Sequence, residues 1–181
     1  MHGSNVALAV AIVALAAAPA AADDFTLTSK TLAGGFSEAQ VSNVFGCSGG
    51  NISPDLAWSG APEGTRSFVL TLYDPDAPTG SGFWHWVVID LPGTATGLPA
   101  GASGDAAKLP AGTRETRTDA GAPGYVGPCP PPGPAHRYVF TLTALKVDGL
   151  DLPIDASAAM VGYAAGVNAL GRAELTLSYG R

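Results

Sequence analysis

The chain has 181 residues, with 9 Lys and Arg against 15 Asp and Glu and a formal net charge of −6 at pH 7. That length suits one ordinary domain with a sizeable core. An acidic chain without a basic run argues against nucleic acid or an anionic membrane surface as partner, because both are held by clustered Lys and Arg.

Taken in chain order, the first 22 residues carry no Asp, Glu, Lys or Arg, and Val6 to Ala18 is an unbroken apolar run. Small residues at Ala20 and Ala22 then precede Asp23-Asp24. This pattern fits a signal peptide over residues 1–22, cleaved after Ala22. The apolar run is shorter than the roughly 18–20 residues that span a bilayer, so stable membrane insertion as an uncleaved anchor is the weaker reading. The domain over residues 23–181 is therefore expected to be periplasmic or secreted.

Phe25-Thr26-Leu27-Thr28 alternates and reads as a first strand. The two cysteines follow at Cys47 and Cys129, each in a Gly/Pro-rich setting. Export and an even count point to a Cys47–Cys129 disulfide; two buried free thiols are the alternative. Two cysteines alone make no structural zinc site.

Ser67 to Tyr73 alternates, with Phe68, Leu70 and Leu72 on one face and Val69, Thr71 and Tyr73 on the other. Phe83 to Leu91 is nearly continuous in apolar residues, as in a central strand buried on both faces. Between them lies Asp74-Pro75-Asp76-Ala77-Pro78. Proline ends the ladder and biases Asp74 to extended geometry. Asp74 is then either an inward carboxylate at a pocket rim or a turn residue, and Asp76 reads as a pure turn residue. Strict alternation puts His85 with Phe83 and Val87, opposite Trp84 and Trp86, with Asp74 as its expected partner; a satisfied core histidine is the alternative.

Gly93 to Pro123 is weakly patterned and reads as a long surface excursion with room for a short helix. Pro130-Pro131-Pro132 is a stiff segment, either a pocket rim or a plain connector. It leads into a strand from His136 to Lys146 on which His136, Tyr138, Phe140 and Leu142 share one face. An imidazole beside a phenol suits a phosphate or carboxylate head group. Ala156 to Leu170 reads as a helix capped by Asp155, with Met160, Ala164, Val167 and Gly171 on one stripe. Ala173 to Tyr179 reads as the last strand. No HExxH occurs and no activated nucleophile is read, so the expectation is no metal, no cofactor and no enzyme.

Five runs carry a resemblance. They are Asn51-Ile52-Ser53-Pro54-Asp55-Leu56-Ala57-Trp58, Asp74-Pro75-Asp76-Ala77-Pro78, Trp84-His85-Trp86-Val87-Val88, Gly124-Tyr125 with Gly127-Pro128-Cys129-Pro130-Pro131, and His136-Arg137-Tyr138. In this order and spacing the chain resembles the phosphatidylethanolamine-binding protein (PEBP) family, which includes the Raf kinase inhibitor protein, and most of all its bacterial branch. The resemblance implies a PEBP-like, mostly β fold with peripheral helices: a large central β-sheet packed on a smaller sheet, and a C-terminal helix. It implies an anion pocket lined by Asp74, Pro78, His85, Pro131, His136 and Tyr138, with Trp84 and Tyr125 close by. It further implies a small anionic ligand, a phosphorylated head group or a carboxylate, and a binder rather than an enzyme. The chain departs from the bacterial pattern at Thr118-Asp119-Ala120-Gly121 and at Gly162-Tyr163. The expected function is a ligand-binding regulatory protein; the alternative is a protease or kinase inhibitor acting through a surface loop.

Overall fold

Period-2 apolar patterning dominates the chain, and the computed structural model, which describes residues 24–181, is correspondingly rich in strand. The expected signal segment lies outside the described residues. The elements are β1 (Thr26–Thr28), β2 (Leu56–Ser59), β3 (Ser67–Asp74), β4 (Phe83–Pro92), β5 (Gly97–Leu98), β6 (Arg114–Glu115), β7 (His136–Leu145), α1 (Ala158–Asn168) and β8 (Ala169–Tyr179). A five-stranded sheet has the order β6-β4-β3-β7-β8, and a three-stranded sheet has the order β1-β2-β5. Every pairing is antiparallel.

Alternation on β3 and β7 builds two cores, one on each face of the large sheet. Phe68, Leu70, Leu72, Tyr138, Phe140 and Leu142 meet Leu27, Leu56 and Trp58 of the small sheet. Val69, Val87, Ile89 and Leu145 meet Ala158, Val161 and Ala165 of α1. Each large apolar side chain buried this way contributes about 1.5–3 kcal/mol, so both layers are held by sheet residues one apart in sequence. The architecture is the expected one: mostly β, two packed sheets and a C-terminal helix.

Five local expectations are corrected. Strict alternation fails at His85, because the pairing jumps from Tyr73↔Trp84 to Leu72↔Trp86 and leaves His85 as an extra residue. A bulge of this kind resets the phase of the strand. Trp86 and Val88 therefore face the small sheet with His85, while Val87 faces α1. Next, α1 is capped by Ser157, whose hydroxyl accepts from the Met160 N–H at 3.3 Å, and not by Asp155. Its buried stripe is Ala158, Val161 and Ala165, while Met160 and Val167 are 49% and 57% exposed. An apolar helix with no polar face cannot announce which side it buries, and the small alanines let it sit close to the sheet. The last strand starts at Ala169, so Leu170 and Gly171 belong to it rather than to the helix. Finally, the excursion from Gly93 to Pro123 holds β5, β6 and turns in place of a short helix.

Candidate functional site

Asp74 ends β3 and His136 begins β7, and the antiparallel pairing of these strands brings them together. The His136 Nδ1 lies 2.7 Å from the Asp74 Oδ2, and both residues are buried. The other Asp74 oxygen accepts from the Asp76 N–H at 2.8 Å, closing an Asx turn over Pro75. Asp76 is no plain turn residue. Its carboxylate accepts from the Arg137 backbone N–H, Nε and Nη2 at 2.8, 2.9 and 2.8 Å. These bonds from Arg137 hold the Asp76 carboxyl well below the usual carboxylate range. Successive acids of one turn thus grip successive residues at the start of the next strand.

His85 does not pair with Asp74. Its Nδ1 lies 2.7 Å from the Val126 carbonyl, and its own carbonyl accepts from the Val126 N–H at 2.9 Å. A carbonyl can only accept, so Nδ1 carries the proton, and a neutral ring keeps a lone pair at Nε2. Burial, the largest influence, holds the His85 ring below its ordinary value, against the Val126 bond and the charges of Asp74 and Asp119. The ring packs on Phe83 at 4.8 Å and Tyr138 at 5.2 Å between centroids. Tyr138 is fully buried, and among the described residues its hydroxyl makes no hydrogen bond of normal geometry, although Asp74 lies close to it. Burial first, and then the nearby Asp74 charge, push this phenol up.

These groups line one cavity of about 410 Å³. Asp74, Pro78, His85, Pro131, His136 and Tyr138 all lie on its wall, so six of the eight expected residues come together. The other two do not reach it. Trp84 is on the opposite face, its ring 4.3 Å from that of Tyr73, because strand alternation sends it and its neighbour His85 to different sides. Tyr125 is buried behind the wall, where its hydroxyl donates to the Gln40 carbonyl at 3.0 Å and its ring meets Trp86 edge-on.

The rim comes from two loops joined by the Cys47–Cys129 disulfide, with Cα atoms 6.0 Å apart. Gly127 lets those loops touch, since a Cβ there would lie 2.0 Å from the Gln40 carbonyl oxygen. Asn51 ties the same loops, donating to the Tyr125 carbonyl at 3.1 Å and accepting from the Gly127 N–H at 2.8 Å.

The lining residues that the sequence reading did not assign to the pocket include Phe45, Thr79, Phe83 and Arg181. Phe83 was detectable, two residues before His85 on one strand. Phe45, 60% exposed and in the left-handed region at φ 59°, carried no sequence signal beyond its neighbour Cys47. Arg181 follows the strand that pairs with His136, through His136↔Tyr179, but only the register reveals that. The run Gly46-Cys47-Ser48-Gly49-Gly50 has Gly-x-Ser-x-Gly spacing, a match the sequence reading passed over. It lies in turns rather than between a strand and a helix, Cys47 is bridged, and Ser48 is exposed away from the cavity.

Residues 31–180 match the family model described as phosphatidylethanolamine-binding protein. The chain is 49% identical over 139 residues to YbhB of Escherichia coli, covering 77% of this chain and 88% of that protein. It is 46% identical over 159 residues to Escherichia coli YbcL, covering 86% and 87%. The crystal structure of YbcL, described as a new member of the mammalian PEBP family, superposes with a TM-score of 0.83 over 87% of this chain and 98% of that one. The putative lipoprotein LppC of Mycobacterium tuberculosis is 38% identical over 156 residues, covering 86% of this chain and 72% of LppC.

Proposed function

The chain belongs to the phosphatidylethanolamine-binding protein family, and from that premise we propose that it is an exported binding protein whose pocket takes a small phosphoryl or carboxylate head group. One observation carries the reading: a buried Asp74–His136 pair, the His85 ring and the unpartnered Tyr138 hydroxyl converge on a single cavity. A buried hydroxyl without a partner costs about 1–3 kcal/mol, and a ligand oxygen would recover that cost. Rings fixed by hydrogen bonds to Asp74 and Val126 are ordered before any ligand arrives, which lowers the cost of binding.

Binding rather than catalysis is favoured by what the cavity lacks. An aspartate–histidine pair becomes a catalytic unit when it activates a nucleophile. The lining hydroxyls are Tyr138, pushed toward its neutral form, and Thr79, which donates to the Gly82 carbonyl. Export is supported by the leader pattern, by the disulfide, which persists in oxidising compartments, and by the likeness to a protein named as a lipoprotein. Among the described residues no helix is long and apolar enough to cross a membrane.

Calorimetric titration with O-phosphoethanolamine, inorganic phosphate and acetate tests the reading. The wild-type protein should bind at least one of them, and His136→Ala should weaken that binding about tenfold or more, the worth of a charge-assisted hydrogen bond. Binding that His136→Ala leaves unchanged would place the ligand elsewhere.

A further inference from the structure

We propose that Arg181 reads the charge of the bound head group, favouring a doubly charged phosphoryl group over a singly charged carboxylate. The inference deepens the head-group reading above and rests on it.

The argument starts from the charges that face the cavity. Asp74 is a carboxylate already committed to the His136 ring and the Asp76 N–H. His85 gives its Nδ1 proton to a carbonyl, so in its neutral form it offers the ligand only a lone pair. His136 turns its Nδ1 to Asp74, which leaves only its Nε2 for a ligand. Arg137 is adjacent but lies outside the cavity wall, locked to Asp76. Asp74 thus sets a negative charge on the wall, and among the other groups the Tyr138 hydroxyl is a neutral donor, so charge repulsion from Asp74 weighs against a dianion.

Arg181 reverses that balance. It lines the same cavity, and a guanidinium stays charged at any working pH. Its Nε donates to the Pro130 carbonyl at 2.6 Å and its Nη1 to the Gly46 carbonyl at 3.2 Å. Pro130 adjoins Cys129 and Gly46 adjoins Cys47, so the two anchors are the two loops joined by the disulfide. Carbonyls fix the guanidinium without neutralising it. Among the described residues no carboxylate side chain pairs with Arg181, and its Nη2 has no partner. A charged fork with a donor to spare at a cavity wall suits phosphate oxygens, which Arg binds in planar, multidentate fashion.

The test uses a pair of similar shape, phenyl phosphate and phenylacetate, titrated calorimetrically at pH 7.5 into wild type, Arg181→Gln and Arg181→Lys. Wild type should prefer phenyl phosphate. Arg181→Gln should weaken phenyl phosphate about tenfold or more and phenylacetate by much less, and Arg181→Lys should recover part of the preference by keeping the charge. Thermal unfolding midpoints of the variants confirm that each is folded as it is titrated. Equal losses for both ligands would mean that Arg181 only braces the rim, and no loss would mean that it does not reach the ligand; either result overturns the proposal. If wild type binds neither probe, the head-group reading fails and this inference falls with it, whereas wild-type binding with an unchanged preference in Arg181→Gln overturns the inference alone.

Discussion

Two cavities of nearly equal size, about 410 and about 400 Å³, lie on opposite faces of the same three strands. Sequence neighbours are divided between them: Asp74 and Tyr73, His85 and Trp84, Tyr138 and Val139. Volume does not separate the two. On the α1 side Tyr73 and Trp84 pack on each other, and Thr141 donates to Glu174 at 3.4 Å. On the other side an acid, two imidazoles and a phenol are buried together, and among the described residues the phenol hydroxyl is left without a partner. Buried polar groups are costly unless paired, so a cluster with capacity to spare marks a binding site better than space does.

The largest expected difference between the faces is covalent. Cys47→Ser combined with Cys129→Ser opens a link between residues 82 apart and should lower unfolding free energy by about 4 kcal/mol in urea melts. It should also weaken head-group binding, since the rim is no longer tied. Next, Asp74→Ala strips His136 of its buried partner and should cost about 3 kcal/mol, whereas Glu174→Ala on the α1 side should stay within about 0.5 kcal/mol. Comparable losses at both positions would erase the contrast. In ligand titrations His85→Ala removes a wall ring and its anchor at Val126, so it should weaken phosphoryl head-group binding several-fold, whereas Trp84→Leu, one residue away, should leave it within about twofold.

Smaller effects sharpen the picture. A Cβ at Gly162, on α1 beside the second cavity, meets nothing within 4 Å, so Gly162→Ala should stabilise the fold by about 0.5–1 kcal/mol without touching ligand affinity. The subtlest is a pH slope. Burial depresses the His85 value below 6.5, so the unfolded chain takes up the proton first as pH falls. Stability should therefore be full above about pH 6.5 and decline below it until the folded ring also protonates. His85→Phe should flatten that part of the melting-temperature profile, and an unchanged slope would assign it to other groups.

Much of this was legible in the sequence where a residue's setting is local. Alternation located β3 and β7, and it put Phe68, Leu70 and Leu72 on one face. Even the cysteine pairing followed from an even count and an expected compartment. What escaped depends on phase or on distance along the chain. The bulge at His85 adds one residue to a strand and leaves no mark in composition, so Trp86 was placed on the wrong face. Asp74 stands 11 residues from His85 and 62 from His136, and only strand register decides which ring it takes. The buried side of α1 was unreadable because apolar residues occupy all its faces. Arg181 enters the site through the β7–β8 pairing, a long-range fact with no motif to announce it.

The most direct test of the contrast uses the scarcity of histidine. Beyond residue 22 the chain has only His85 and His136, so selectively labelled imidazoles report the cavity and nothing else. Titration with O-phosphoethanolamine, followed by NMR, should move both imidazole signals together while the Trp84 indole, on the opposite face, stays in place. Histidines that do not move, with shifts at Trp84 and along α1 instead, would contradict the account and assign ligand binding to the other face of the sheet.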